Sequence, residues 1–99
     1  MIRGTTPTLE FVLPFDTSLL AEAFVTLAQG GTVVVDKSLK DCNCRGDLLT
    51  VRLTQEDTLK LDDKINTEIQ IRAKTVSGDA IASNITTVDT ERILKDGVI

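Results

Sequence analysis

Short segments of alternating apolar and polar residues, separated by glycine, proline, asparagine and aspartate, constrain this sequence most. The clearest runs from Thr67 to Thr75, where Ile69, Ile71 and Ala73 alternate with charged or amide side chains. Successive side chains of a β-strand point to opposite faces, so this pattern predicts a strand with one buried side. Similar segments recur along the 99 residues, a length that suits one domain.

Further strands are predicted over residues 8–13, 22–29, 32–39 and 48–54. The dipeptide Gly30-Gly31 between two of them favours a tight hairpin. A last strand is expected over residues 80–90, with a bulge between Ile81 and Val88 where the alternation breaks.

About seven short strands joined by turns indicate an all-β fold, a single antiparallel β-sandwich, with a barrel as the alternative. One or two short helical turns should accompany the strands. The sequence Thr54-Gln55-Glu56-Asp57 predicts a helical turn through Leu59 and Leu61, with Thr54 as the cap and two acidic residues in the first turn. Asp16 or Ser18 can cap another turn over residues 19–21.

The polar segment 40–47 is predicted to be a loop or a ragged edge strand. Its cysteines, Cys42 and Cys44, would point to the same face of an extended chain, near the outer limit of separation for a disulfide. We interpret them as two small residues in a turn or an edge strand. The tripeptide Arg45-Gly46-Asp47 is interpreted as a turn built on Gly46.

The composition argues against several classes of function. The chain has no histidine, tryptophan or tyrosine, and 15 acidic against 11 basic residues give a net charge of −4. Without histidine, no serine or threonine has the usual activating base, and paired acids such as Asp62-Asp63 point apart in a strand. We therefore predict no catalytic, cofactor or metal site, no small-molecule substrate and no nucleic-acid partner. No apolar run indicates a membrane span, and residues 1–7 do not resemble a signal peptide.

The two ends of the chain carry the functional prediction. Residues 1–7 form a polar N-terminal arm without a strand partner of its own, residues 8–90 form the sandwich, and residues 91–99 form an apolar C-terminal tail. The tail either folds back onto its own sandwich or docks on a neighbouring subunit. Together with an outward-facing phenylalanine, the ends supply the predicted protein-interaction residues: Ile2, Arg3, Phe24, Ile93, Leu94, Val98 and Ile99.

Four segments resemble small structural proteins of tailed bacteriophages and prophages. They are Arg3-Gly4-Thr5-Thr6-Pro7, Leu13-Pro14-Phe15-Asp16-Thr17, Leu53-Thr54-Gln55-Glu56-Asp57-Thr58-Leu59 and Ile93-Leu94-Lys95-Asp96-Gly97. The predicted sandwich is also similar to the immunoglobulin-like and fibronectin-like modules of phage capsids, tails and baseplates. It lacks the core tryptophan, tyrosine corner and inter-sheet cysteine pair of extracellular immunoglobulin domains.

The resemblance implies a non-enzymatic virion subunit, assembled in the bacterial host cytoplasm, that binds other virion proteins in a multi-copy assembly. The alternative is a carbohydrate- or host-surface-binding module, against which the absence of tryptophan and tyrosine counts. A small acid-dependent hydrolase is a third hypothesis, which no motif supports.

Overall fold

The computed structural model describes all residues from Met1 to Ile99 and confirms the predicted all-β sandwich. Its only α-helix, α1, spans Gln55–Leu59, and single 3₁₀ turns span Thr17–Leu19 and Leu39–Asp41. The strands are β1 (Thr8–Val12), β2 (Leu20–Gln29), β3 (Thr32–Ser38), β4 (Cys42–Arg45), β5 (Leu48–Arg52), β6 (Thr67–Thr75), β7 (Ala80–Ala82) and β8 (Thr86–Val88).

The strands form two antiparallel sheets rather than one closed sheet. The smaller sheet has the order β1-β5-β4. The larger sheet has the order β3-β2-β6, and both β7 and β8 pair with the free edge of β6. The polar segment 40–47 contains β4, an edge strand that pairs with β5, so the edge-strand interpretation of the cysteines is correct.

The core lies between the sheets and consists of the alternate residues that the sequence pattern places inward. β2 and β6 contribute Ala23, Val25, Leu27, Ile69, Ile71 and Ala73, and β5 contributes Leu49 and Val51. Full burial of each Val, Leu or Ile side chain contributes about 1.5–3 kcal/mol. This shared apolar layer is therefore what holds the two sheets together.

The β2–β3 hairpin turns on Gly30 and Gly31, as predicted. Both residues have positive φ, +55° and +80°, the conformation that a two-residue turn of this kind requires and that side chains disfavour. Beyond the turn, Leu27 pairs with Val35 and Ala28 with Val33, so Val34 is an extra residue in β3. This bulge was not predicted, because three consecutive valines give no alternation to read.

Two details of the predicted elements are wrong. Residues 80–90 form two short strands instead of one, because Ser83 interrupts the ladder: its N–H donates to the Ile71 carbonyl at 2.9 Å, and its hydroxyl accepts from the Ile71 N–H at 3.1 Å. The helical turn expected over residues 19–21 lies instead at Thr17–Leu19. Asp16 caps it, and Leu20 already pairs with Thr75 in the sheet.

Helix α1 begins at the predicted cap and is fixed to β3 by an ion pair. The Thr54 hydroxyl accepts from the Asp57 N–H, and the Asp57 carboxylate accepts from the Thr54 N–H at 2.9 Å. Lys37 Nζ lies 2.8 Å from the same carboxylate. Burial opposes ionisation of Asp57, but the hydrogen bonds from Lys37 and Thr54 and the charge of Lys37 outweigh it, so the pKa of Asp57 is lowered.

This ion pair predicts an acid-sensitive contribution to stability. A carboxyl whose folded pKa is lowered stabilises the fold above its unfolded pKa, and the contribution is lost as pH falls through the folded value. As the pH is lowered below about 4, the free energy of unfolding should therefore decrease less for an Asp57→Asn variant than for the unmodified chain. At pH 7, Lys37→Met should lower the free energy of unfolding by about 1–3 kcal/mol, because it leaves the Asp57 carboxylate without its cationic partner.

Urea denaturation at pH 7 and pH 3 measures both effects. Glu56→Gln is the matched control, since Glu56 is exposed on the same helix and belongs to no ion pair. An equal acid response in Asp57→Asn and the unmodified chain would show that the pair does not carry this dependence.

Candidate interaction surfaces

The N-terminal arm pairs with the start of the tail. Ile2 and Glu91 form a parallel bridge, in which the Arg3 N–H donates to the Glu91 carbonyl at 3.0 Å. The Glu91 N–H in turn donates to the Met1 carbonyl at 2.8 Å. The expectation that the arm has no partner of its own is thus wrong. A bridge between the two ends of a chain leaves no local pattern in the sequence.

Arg3 fastens the arm to the carboxyl end of α1. Its Nε donates to the Leu61 carbonyl at 2.7 Å and its Nη2 to the Leu59 carbonyl at 3.0 Å. Leu59 is the last residue of α1, and Leu61 lies two residues beyond it. The last carbonyls of a helix lack partners within the helix, and a guanidinium can satisfy two acceptors at once. Nη1 also lies 3.7 Å from a carboxylate oxygen of Asp96 in the tail. Arg3 is therefore engaged within its own chain.

Ile93 anchors the tail against Gly4 of the arm. A Cβ atom built on Gly4 would lie 2.9 Å from Ile93 Cδ1 and 3.4 Å from a methyl carbon of Leu59. Gly4 also has a φ of +74°, so a side chain there would be strained as well as crowded. Only glycine lets the tail approach this closely, and Ile93 is half-buried as a result.

The last residue is held by the side-chain amide of Gln55 in α1. Gln55 Nε2 donates to the main-chain oxygen of Ile99 at 3.0 Å, and its Oε1 accepts from the Ile99 N–H at 2.8 Å. This two-point clamp imitates the pairing of a neighbouring strand. Nothing in the sequence pattern singled out Gln55, because the clamp joins residues 44 positions apart.

A buried amide fixes the point where the tail leaves the sandwich. Gln29 Nε2 donates to the carbonyls of Asp62 and Ile65 at 2.9 and 3.0 Å, and its Oε1 accepts from the Asp62 N–H. Beside it the hydroxyls of Thr67 and Thr90 are 2.7 Å apart. Thr90, the residue before the tail, is therefore tied to the base of β6 through buried polar contacts.

Four apolar side chains of the arm and tail remain exposed, although neighbouring residues of both segments are held by contacts within the chain. Leu94 is 94% exposed and Ile99 92%, and Ile2 and Val98 are also exposed. We call Ile2, Leu94, Val98 and Ile99 the tail surface. Of the predicted interaction residues, these four are available to a partner at the ends of the chain, whereas Arg3 and Ile93 are used internally.

Phe24 lies apart from them, on the face of the larger sheet that points away from the core. Its ring is 42% exposed, and its cross-strand neighbours are Ser38 and Arg72. We call this the outer sheet face: Glu22, Phe24 and Thr26 of β2, Asp36 of β3, and Glu68, Gln70, Arg72 and Lys74 of β6. The structure therefore separates the predicted residues into two surfaces.

A groove of about 510 Å³ separates two sheet edges, β1 of the smaller sheet and β7 of the larger. Its walls are mainly apolar, from Phe11 and Leu13 on one side and Ile71 and Ile81 on the other. The sequence identified these residues as strand positions but gave no sign that the two edges stand apart.

The chemically reactive side chains do not converge. No group of three or more Cys, Asp or Glu residues is arranged to hold a metal ion. Cys42 and Cys44 are free, and burial raises the pKa of the Cys42 thiol, helped by the nearby Cys44 and Asp41. Gly46 of the Arg-Gly-Asp tripeptide forms the β4–β5 turn with a φ of +57°. Its carbonyl accepts hydrogen bonds from Thr17.

Comparison with known proteins found no matching family model, no matching curated protein and no matching solved structure. No helix of the chain has the length and apolar character needed to cross a membrane. An inference about function therefore rests on the contacts and exposed surfaces of this chain.

The Gln55 clamp predicts how firmly the chain end is held. Gln55→Ala removes both hydrogen bonds to Ile99, so the last residues should be released and carboxypeptidase should remove them about five- to tenfold faster. The rate can be followed by mass spectrometry of the intact chain. Glu56→Ala is the matched control, because its exposed side chain makes no hydrogen bond to the tail. Equal digestion rates in the two variants would contradict the clamp.

Proposed function

We propose that this protein is a non-enzymatic structural subunit of a phage virion, which binds neighbouring subunits through its arm and tail. The observation that carries the proposal is the tail surface. A chain end that is tied down by Arg3, Ile93 and Gln55 nevertheless presents Leu94 and Ile99 almost completely to solvent.

Exposure of Leu94 and Ile99 costs the isolated molecule free energy. A mobile end could turn its apolar side chains against the sandwich, and each burial would contribute about 1.5–3 kcal/mol. In the structure neither Leu94 nor Ile99 is buried in this way, and Gln55 holds the backbone of Ile99 in its exposed position. A partner that covers them recovers this free energy without having to order the tail first, because the tail is already held.

The residues that resemble phage structural proteins take part in the same arrangement. Arg3 and Gly4 hold the tail, Gln55 clamps its end, and Ile93 and Asp96 are its anchoring points. The resemblance and the held chain ends thus support the same proposal.

Purified particles from the phage that carries this gene test the proposal. We expect the chain to co-sediment with the particles and mass spectrometry to find it in many copies. A chain carrying Leu94→Asp and Ile99→Asp should stay folded by circular dichroism but be depleted from particles at least about tenfold, because two charges would have to be buried. Val76→Asp is the control, since Val76 is exposed but lies in the turn after β6.

Two results would overturn the proposal. One is a particle fraction that lacks the unmodified chain while other structural proteins are present. The other is normal incorporation of the doubly substituted chain, which would remove the tail surface from the interaction.

A further inference from the structure

Within the outer sheet face, β6 carries its charges in an order that is complementary to itself. Along β6, Glu68 lies at one end, and Arg72 and Lys74 lie at the other. Glu68 and Lys74 are six residues apart, which corresponds to about 20 Å along a strand. Asp36 of β3 lies nearer the acidic end, because it and Gln70 are the two cross-strand neighbours of Thr26. Phe24 of β2 lies between the two ends, and Glu22, two residues before it, lies beside Lys74 at the basic end.

These charges are not paired within the chain. The ion pairs of the protein are Arg3 with Asp96 and Lys37 with Asp57, and neither involves the outer sheet face. Even Glu22 and Lys74, which are cross-strand neighbours, form no ion pair within 4 Å. The carboxylate of Glu68 and the ammonium group of Lys74 therefore remain available to a second molecule.

We propose that the outer sheet face binds the same face of a second copy of this chain. The two copies are related by a two-fold axis that lies in the interface and runs perpendicular to the strands. This axis reverses the strand direction, so Lys74 of each copy faces Glu68 of the other. The two Phe24 rings lie side by side near the centre, and Arg72 of each copy faces the neutral Gln70 of the other.

The proposal follows from a geometric and an electrostatic requirement. A two-fold interface must use one patch that is complementary to itself, and opposite charges at equal distances from the axis provide that complementarity. The edge strand β7 adds only Ala80 and Ala82 beside Lys74 and Arg72, so a second sheet can approach closely there. The inference goes beyond the proposed function, because it assigns a partner to a surface that the tail does not form.

The size of the face predicts a weak dimer. The charged span of β6 and the width of four neighbouring strands, β3, β2, β6 and β7, give a patch about 20 Å long and about 15 Å wide, which is small for a stable protein–protein interface. We therefore expect self-association that depends on protein concentration and weakens as salt screens the two ion pairs. Sedimentation equilibrium over a concentration series measures the dissociation constant.

Charge reversal provides the decisive test. In a dimer of the Glu68→Lys variant, a lysine at position 68 faces Lys74 of the other copy at each end of the interface. In a dimer of the Lys74→Glu variant, a glutamate at position 74 faces Glu68 at each end. Each variant should self-associate at least about tenfold more weakly than the unmodified chain. An equimolar mixture of the two variants should recover the original dissociation constant, because every facing pair in the mixed dimer is again lysine with glutamate.

The controls separate this surface from the rest of the molecule. Glu10→Lys reverses an exposed strand charge on the smaller sheet and should leave self-association unchanged. The Leu94→Asp, Ile99→Asp chain should also dimerise normally, so failure of the tail proposal and failure of this one are distinguishable. A monomeric unmodified chain, or variants that stay monomeric when mixed although each is folded, would overturn the proposal.

Discussion

The pairing of β2 with β6 is the contact on which the rest of the structure depends. These are the two longest strands, and they run antiparallel through the middle of the larger sheet. Together they supply seven of the 12 residues of the buried apolar cluster, and β5 of the smaller sheet packs on the same layer. Every other strand of the larger sheet pairs with β2 or β6. The same pair also builds the outer sheet face, since residues that alternate inward must alternate outward as well.

The sequence was informative wherever this alternation is unbroken. It placed β2, β5 and β6, their inward residues, the Gly30-Gly31 hairpin and the Thr54 cap, because period-two patterning and capping depend on neighbouring residues. It missed the bulge at Val34, and between Ile81 and Val88 it predicted a bulge in one strand where the structure has a break at Ser83. At Val34 an extra residue stands in the ladder with β2, and at Ser83 a side-chain hydroxyl accepts the hydrogen bond from the Ile71 N–H. Both irregularities depend on the neighbouring strand and therefore leave no pattern in the segment itself.

The arm and tail illustrate the opposite case. The apolar residues at the chain end and the arginine near the start were predicted from the sequence to be interaction residues, but their division into internal anchors and exposed groups was not. Arg3 binds carbonyls of residues 59 and 61, and Gln55 binds residue 99. These contacts join irregular segments that have no period, so their partners can be identified only once the sandwich has brought α1, the arm and the tail together.

The separation of the two surfaces bears on what an assembly of this chain could look like. A two-fold contact through the outer sheet face uses that face once on each copy and then closes, so by itself it stops at a dimer. The tail surface lies on different elements and stays open on both copies. A dimer would therefore present two identical tails to neighbouring subunits, and two weak contacts that are physically linked bind far more tightly than either alone. On this view a weak sheet contact suffices, because its role is to join two tails rather than to hold a particle together.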